Sequence, residues 1–189
     1  VFEHNVRLMD AIIFASGGGH IELGESHAML ADAYFPRYKV MSPELAEVIR
    51  RYYDFVVRYQ DVIGSRTRDA TPEYARNISI DGISTSPSQR KDKVWPIVHQ
   101  SEEFLAINLI NLRGIESVEW AKELENAPLT LGITKVRLSG FDRKIEGVWF
   151  ASPDEQNISL IPLDFTQDDD KTIIFEIPSL KYWDLILVK

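Results

Sequence analysis

The hydrophobic pattern divides the chain into a helical first third and a strand-rich remainder. The clearest helix begins at Ser42-Pro43-Glu44, where serine caps free amides, proline suits the first turn and glutamate meets the positive helix end. Apolar residues then recur every three or four positions to about Val62, and Gly64 provides a stop. The apolar face of this predicted helix consists of Leu45, Val48, Ile49, Tyr52, Phe55, Val56 and Tyr59.

A short apolar run at 11–15 leads directly into three consecutive glycines. An uninterrupted run of this length is typical of a strand buried on both faces, and glycine lets a backbone approach a ligand closely. We therefore expect a strand at 11–15 and an active-site loop after it. The candidate substrate-binding residues of this loop are Gly17, Gly18, Gly19, His20, Glu22 and Glu25. The apolar segment 29–35, which Pro36 ends, is expected to form a short irregular or helical lid.

The character of the chain changes at a polar, turn-rich segment, so we place a linker at 67–76 between residues 1–66 and a second domain at 77–189. Short strand patterns separated by turns predict an antiparallel Greek-key β-sandwich in this second domain. The predicted strands are Ile78–Ile80, Val94–His99, Phe104–Leu112, Leu129–Leu138, Ile145–Ala151, Ile158–Leu163, Thr172–Ile177 and Tyr182–Val188.

Three local features of the second domain lead to further predictions. The alternation in the fourth strand slips by one residue at Thr134-Lys135, which predicts a β-bulge. The acidic run Asp168–Lys171 lacks the glycine and bidentate glutamate of a calcium loop, so a hairpin turn is favoured. The four tryptophans are expected to lie in the core rather than form sugar-stacking platforms, with Trp120 as the best candidate for exposure.

Composition narrows the classes of function. The 189 residues carry a net charge of −8 and no cysteine. Nucleic acids and anionic membranes attract clustered Lys and Arg, so neither is expected as a partner. Disulfides and thiolate metal sites are excluded, and no apolar run approaches the roughly 20 residues that span a bilayer. No cofactor or metal is predicted, because His20, Glu25 and His27 lack the spacing of a helical zinc motif.

A series of motifs runs along the chain in a fixed order: Gly17-Gly18-Gly19-His20-Ile21-Glu22-Leu23-Gly24-Glu25, Met29-Leu30, Tyr34-Phe35-Pro36, Met41-Ser42, Tyr52-Tyr53-Asp54-Phe55, Ala151-Ser152-Pro153-Asp154 and Ile177-Pro178-Ser179-Leu180-Lys181-Tyr182-Trp183-Asp184. With this order and spacing, the chain resembles the C-terminal portion of glycoside hydrolase family 66. That family contains endo-dextranases and cycloisomaltooligosaccharide glucanotransferases. The resemblance covers most of the chain.

The resemblance implies that residues 1–66 supply the last βα unit of a (β/α)8 barrel and that a β-sandwich follows. It implies a retaining enzyme for α-1,6-glucan or isomaltooligosaccharide, whose aspartate nucleophile and glutamate acid/base lie about 5 Å apart. Both residues belong to earlier barrel strands, so no catalytic residue is expected here and the N-terminal barrel of the same protein is an expected partner. His20 and Glu22 would line the sugar site, or equally would pair to fix the loop.

Three functions remain open at this point. The chain is an inactive piece of a dextran-degrading enzyme, an autonomous carbohydrate-binding sandwich, or a structural domain. We favour the first for residues 1–66 and the third for the rest. Because the N-terminus shows neither an initiator methionine nor a signal-peptide pattern, we expect the chain to begin within a longer protein. The resemblance implies that this protein is bacterial and is extracellular or in the cell envelope. Hydrolysis and cyclising transglycosylation remain alternatives.

Overall fold

The computed structural model describes residues 2–32, 37–119, 122–141, 143–168 and 171–189. Its helices and strands are, in chain order, α1 (Glu3–Ala15), β1 (Ala28–Asp32), β2 (Arg37–Val40), α2 (Pro43–Ile63), β3 (Arg68–Asp69), α3 (Thr71–Tyr74), β4 (Ile78–Ile80), β5 (Val94–Gln100), β6 (Leu105–Asn111), β7 (Thr134–Leu138), β8 (Val148–Ala151), β9 (Ile161–Leu163), β10 (Phe165–Gln167), β11 (Ile173–Ile177) and β12 (Trp183–Val188). None of the described helices is both long enough and apolar enough to cross a bilayer.

The strands form antiparallel sheets, as predicted. One sheet has six strands in the order β3-β5-β6-β12-β8-β9, and the other has four in the order β10-β11-β7-β4. The strands β1 and β2 form a separate hairpin. Apolar side chains from both larger sheets meet in one core, to which β6 contributes the alternating residues Leu105, Ile107 and Leu109. No closed barrel is present among the described residues.

The six-stranded sheet is buried on both faces. Along β6, alternate residues face the four-stranded sheet, while Ala106 and Ile110 belong to a second core that includes α1 and α2. Every residue of β6 is consequently buried. The architecture therefore has three layers, with the helices on one side of the six-stranded sheet and the smaller sheet on the other.

The predicted strand at 11–15 is wrong, because these residues form the last turns of α1. The helix contacts α2 and the six-stranded sheet, so its buried positions extend beyond a single stripe and include Ala11, Ile12, Phe14 and Ala15. A short apolar run of this kind has the same sequence appearance as a buried strand. The glycines therefore follow a helix and not a strand.

The predicted helix at 43–62 is confirmed as α2. The Ser42 hydroxyl accepts a hydrogen bond from the Leu45 amide at 3.1 Å, and Gly64 is the C-terminal cap. Segment 29–35 was expected to be irregular or helical, but its described part forms β1, which pairs with β2. Residues 33–36, with the motif Tyr34-Phe35-Pro36, lie outside the described residues.

The strand predicted at Ile78–Ile80 is confirmed as β4, and the other predicted strands are confirmed with shifted ends, the fourth being the most shortened. Strand β7 begins only at Thr134 and pairs with β11 in an unbroken register, so the predicted bulge is wrong. Residues Leu129 and Ile133 are exposed, and Leu131 makes only an isolated bridge with Leu180. The strands β2, β3 and β10 were not predicted.

The remaining local predictions have mixed outcomes. The strands β10 and β11 form a hairpin, and Asp168 Oδ1 accepts a hydrogen bond from the Thr172 amide at its turn. The predicted turn is thus confirmed, although its two central aspartates lie outside the described residues. Trp183 is fully buried in the core, whereas Trp95 and Trp149 are partly exposed. Trp120 also lies outside the described residues.

A buried carboxylate joins the helices to the six-stranded sheet. Asp154 Oδ1 accepts hydrogen bonds from the Arg7 guanidinium of α1 and the Tyr52 hydroxyl of α2, both at 2.8 Å. Its other oxygen accepts from the backbone amides of Tyr182 and Trp183 at 2.8 and 3.0 Å. The Arg7 guanidinium also lies 3.8 Å from the centre of the Tyr182 ring. Both carboxylate oxygens are therefore fully used.

We expect Asp154→Asn to lower the free energy of unfolding by about 3 kcal/mol, because it leaves the largely buried Arg7 charge with only the more distant Glu3 as counterion. Urea unfolding followed by circular dichroism measures this change. Asp61→Asn is the matched control, since Asp61 pairs with Arg66 at an exposed site and should cost less than about 0.5 kcal/mol. Equal effects of the two substitutions would show that Asp154 does not hold the layers together.

Candidate functional site

After α1 the chain reverses and runs back along both helices. The Gly18 amide donates to the Ile13 carbonyl at 2.9 Å, and His20 lies beside Asp10. Further along, the Tyr53 hydroxyl of α2 accepts hydrogen bonds from the amides of Glu22 and Leu23 at 2.7 and 3.2 Å. Segment 17–24 is therefore antiparallel to α1 and is fixed against the middle of α2.

The first two glycines permit this reversal by their size. Gly17 has φ of +82°, and a Cβ atom there would lie 3.1 Å from the Ile63 carbonyl at the end of α2. A Cβ on Gly18 would lie 3.0 Å from Ile13. Gly19 differs, because no atom lies within 4 Å of the position that a Cβ would occupy. The structure thus gives Gly17 and Gly18 a packing function, and their contact with substrate stays a prediction.

Three titratable side chains meet where segment 17–24 crosses α1. His20 Nδ1 lies 2.9 Å from Asp10 Oδ1, and His20 Nε2 lies 3.9 Å from Glu22 Oε1. The Asp10 side chain is fully buried and that of Glu22 is 8% exposed, whereas His20 is 32% exposed. One oxygen of each carboxyl group, Asp10 Oδ2 and Glu22 Oε2, is buried without a hydrogen-bond partner among the described residues. The imidazole is the accessible member of this Asp10–His20–Glu22 cluster.

Burial dominates the electrostatics of the cluster. It raises the pKa of Asp10 to about 6, and the hydrogen bond and charge of His20 only partly oppose this effect. Burial also raises the pKa of Glu22 to about 7, with a further upward contribution from the Asp10 charge and a downward one from His20. Both carboxyl groups therefore keep a proton to a higher pH than ordinary carboxyl groups do.

The cluster differs from the site expected from sequence. His20 and Glu22 lie close together, whereas Glu25 is exposed and begins a separate 3₁₀ turn at Glu25–His27. Sequence analysis missed Asp10 and Tyr53. Once α1 is known to be a helix, Asp10 falls four residues from both Val6 and Phe14 on one buried face, and an acid at such a position is a recognisable signal.

The same three side chains offer a set of donors for a cation. One ligand atom from each of Asp10, His20 and Glu22 lies within 4.8 Å of the others. This group was not anticipated, because the sequence argument compared His20 only with His27 and Glu25. The 2.9 Å separation of Asp10 and His20 is that of an ordinary hydrogen bond, which accounts for their contact without an ion.

Gly17→Ala should lower the free energy of unfolding by about 2 kcal/mol, because alanine is strained at positive φ and its methyl group would press on α2. Gly19→Ala is the matched control, with an expected change below about 0.5 kcal/mol. Urea titration of both variants measures the difference. Equal losses would mean that close packing is not what requires glycine at position 17.

Stability should fall as the pH rises from about 4, near the ordinary carboxyl pKa, to about 7, the raised pKa of Glu22. A raised carboxyl pKa means that the folded chain keeps a proton that the unfolded chain has lost, so deprotonation favours unfolding. Glu22→Gln removes the Glu22 carboxyl group and should therefore reduce this pH dependence of the free energy of unfolding by about 1 kcal/mol. The effect is small because His20 is partly exposed, so water screens the charges of the cluster. Thermal unfolding across this pH range measures it, with the exposed Glu25→Gln as control. An unchanged profile for Glu22→Gln would contradict the assignment.

Comparison with known proteins places this geometry in a family. The profile of glycosyl hydrolase family 66 matches residues 1–187. A cycloisomaltooligosaccharide glucanotransferase of Niallia circulans is 36% identical over 196 residues, which cover 99% of this chain and 20% of that protein. A dextranase of Streptococcus salivarius is 22% identical over 208 residues, which cover 96% of this chain and 25% of that protein.

Comparison with a solved structure agrees with this family match. The crystal structure of a cycloisomaltooligosaccharide glucanotransferase from Paenibacillus sp., complexed with cycloisomaltoheptaose, superposes with a TM-score of 0.89 at 30% identity. The match covers 98% of this chain and 27% of that one. The chain spans about a fifth of the length of the glucanotransferases of Niallia circulans that it matches. Since the family profile extends over nearly all of its residues, this chain belongs to glycosyl hydrolase family 66.

Proposed function

We propose that this chain is the C-terminal part of an extracellular bacterial enzyme that cleaves α-1,6-glucan with retention of configuration. The observation that carries the proposal is the match over 98% of this chain to a glucanotransferase structure solved with cycloisomaltoheptaose. The catalytic Asp and Glu lie upstream in the proposed protein. Its substrates are dextran or isomaltooligosaccharides, with either water or a sugar hydroxyl as acceptor.

The directions of α1, segment 17–24 and α2 support a place at the end of a barrel. Val6 packs with Leu45 near the starts of the two helices, and Gly17 meets Gly64 beyond their ends, so the helices are parallel. The segment between them runs the opposite way. Helices of a (β/α)8 barrel are likewise parallel to one another and antiparallel to the strands. In this proposal α1 and α2 are the last two barrel helices, and the last barrel strand lies within 18–23 instead of 11–15.

The direction of the proposed strand within 18–23 determines which residues of the predicted site face substrate. Active sites of such barrels lie at the C-terminal ends of the strands, which here means the end at Glu22 and Glu25. Gly17 lies at the opposite end, beside the C-terminus of α2. We therefore assign the sugar-facing wall to the part of the predicted site that contains His20, Glu22 and Glu25.

Exposed apolar side chains near this segment support the presence of upstream barrel strands. Ile21 is 86% exposed, and Tyr38 and Val40 of the neighbouring hairpin are also exposed. A strand in a barrel has a neighbour on each side and a core beneath it, which would cover such residues. The proposed occupant of this surface is the N-terminal barrel of the same protein.

The sandwich has a structural function in this proposal. The helices cover one face of its larger sheet and the four-stranded sheet covers the other, so neither face is free to bind glucan. The buried position of Trp183 in the helix-facing core agrees with this assignment. A carbohydrate-binding function for residues 77–189 lacks comparable support.

The proposal predicts that this chain alone does not cleave dextran, whereas the chain extended by its upstream sequence releases the α-anomer first. Proton NMR of early isomaltoheptaose products distinguishes the anomers, and product sizes distinguish hydrolysis from cyclisation. The upstream nucleophile variant Asp→Asn is the negative control. Dextran turnover by this chain alone would contradict the upstream placement of the catalytic pair, and initial release of the β-anomer would contradict retention.

A further inference from the structure

We propose that Asp10 is a positioning residue for His20: its buried carboxylate holds the ring with hydrogen on Nδ1, so that Nε2 is free to accept a hydrogen bond from a glucan hydroxyl. The inference rests on the proposed function and deepens it. It assigns a task to a residue of α1 that the family comparison leaves without one.

The contact between Asp10 and His20 determines which ring nitrogen of His20 carries the hydrogen. Asp10 is fully buried on the face of α1 that also carries Val6 and Phe14. Its Oδ1 lies 2.9 Å from His20 Nδ1. An ionised carboxylate only accepts hydrogen bonds, so the neutral imidazole must carry its hydrogen on Nδ1 to satisfy this contact.

The other ring nitrogen is left unused by the described residues. His20 Nε2 lies 3.9 Å from Glu22 Oε1, which is too far for a hydrogen bond. A hydroxyl oxygen between these atoms, about 2.8 Å from each, would satisfy both. Glu22 is held in place for this contact, because the Tyr53 hydroxyl accepts a hydrogen bond from its backbone amide. Within the Asp10–His20–Glu22 cluster, His20 is the most exposed side chain, at 32%.

The charge state of the cluster suits a neutral sugar. Burial raises the pKa of Glu22 to about 7, so this carboxyl group is partly protonated near neutrality and can donate to a sugar oxygen. His20 Nε2 would accept from the same hydroxyl. The groups that face the imidazole are thus Asp10 on α1 and Glu22 on its own segment, with Tyr53 of α2 next to Glu22.

The tautomer of His20 can be measured in this chain without any enzymatic activity. The chain has four histidines, so ¹⁵N-labelled imidazole signals can be assigned with His20→Gln. At a pH where His20 is neutral and after dialysis against a chelator, long-range ¹H–¹⁵N spectra should show hydrogen on Nδ1. Asp10→Asn keeps an oxygen acceptor and should preserve this pattern. Asp10→Leu has no acceptor and should shift His20 towards the Nε2–H tautomer.

A wild-type His20 with hydrogen on Nε2 would overturn the proposal, as would an unchanged tautomer in Asp10→Leu that still shows native circular dichroism. Asp61→Leu, at an exposed position of α2, is the control and should leave the His20 signals unchanged. A ring signal that differs before and after chelator treatment would assign the cluster to a cation and would also overturn the proposal.

Kinetics of the chain extended by its upstream sequence supply the second readout. Asp10→Leu should lower kcat/KM for isomaltoheptaose about 10- to 100-fold, and Asp10→Asn should recover most of that loss. Equal kcat/KM in wild type and Asp10→Leu would refute positioning. If the wild-type protein itself fails to act on α-1,6-glucan, the proposed function fails, while the tautomer measurement still decides what Asp10 does.

Discussion

The hydrogen bonds of Asp154 connect the helical layer of this structure to its six-stranded sheet. Its carboxylate receives one hydrogen bond from α1, one from α2 and two from the backbone at the start of β12. A buried charge is tolerated only when such partners replace water, and here each oxygen has two of them. The helices are therefore tied to the sandwich at a defined position, and segment 17–24 is positioned by the helices in turn.

Two other buried acids show that the charge state of a buried carboxyl group depends on its hydrogen-bond partners. Asp184 is fully buried, and neither of its oxygens has a hydrogen-bond partner of good geometry among the described residues. Burial raises its pKa well above the usual range, against a smaller downward effect of the nearby Ser152 side chain, and so favours the neutral form. Asp10 is intermediate, since one of its oxygens shares a hydrogen bond with His20 and the other has no partner among the described residues. The fully satisfied carboxylate joins the layers, whereas the partly satisfied one lies beside an accessible imidazole at the proposed sugar-facing wall.

Under the proposed function, the sandwich completes the barrel enzyme from outside. The six-stranded sheet uses one face for its own core and offers the other to α1 and α2. In the proposed whole protein, the outer surface of the last two barrel helices is thereby covered, and their other side remains for the barrel strands. Ile21, which is largely exposed in this chain, lies on the segment assigned to those strands.

The sequence by itself determined the elements whose signals are local. Its capping residues and periodicity predicted α2, and its short alternating runs predicted most sandwich strands and their antiparallel character. It also carried the motifs of the family. It did not determine α1, because a helix covered on several sides resembles a buried strand in a short window. Only the tertiary structure brought Asp10 to His20, since the chain reversal at Gly17 depends on how closely α2 packs against it.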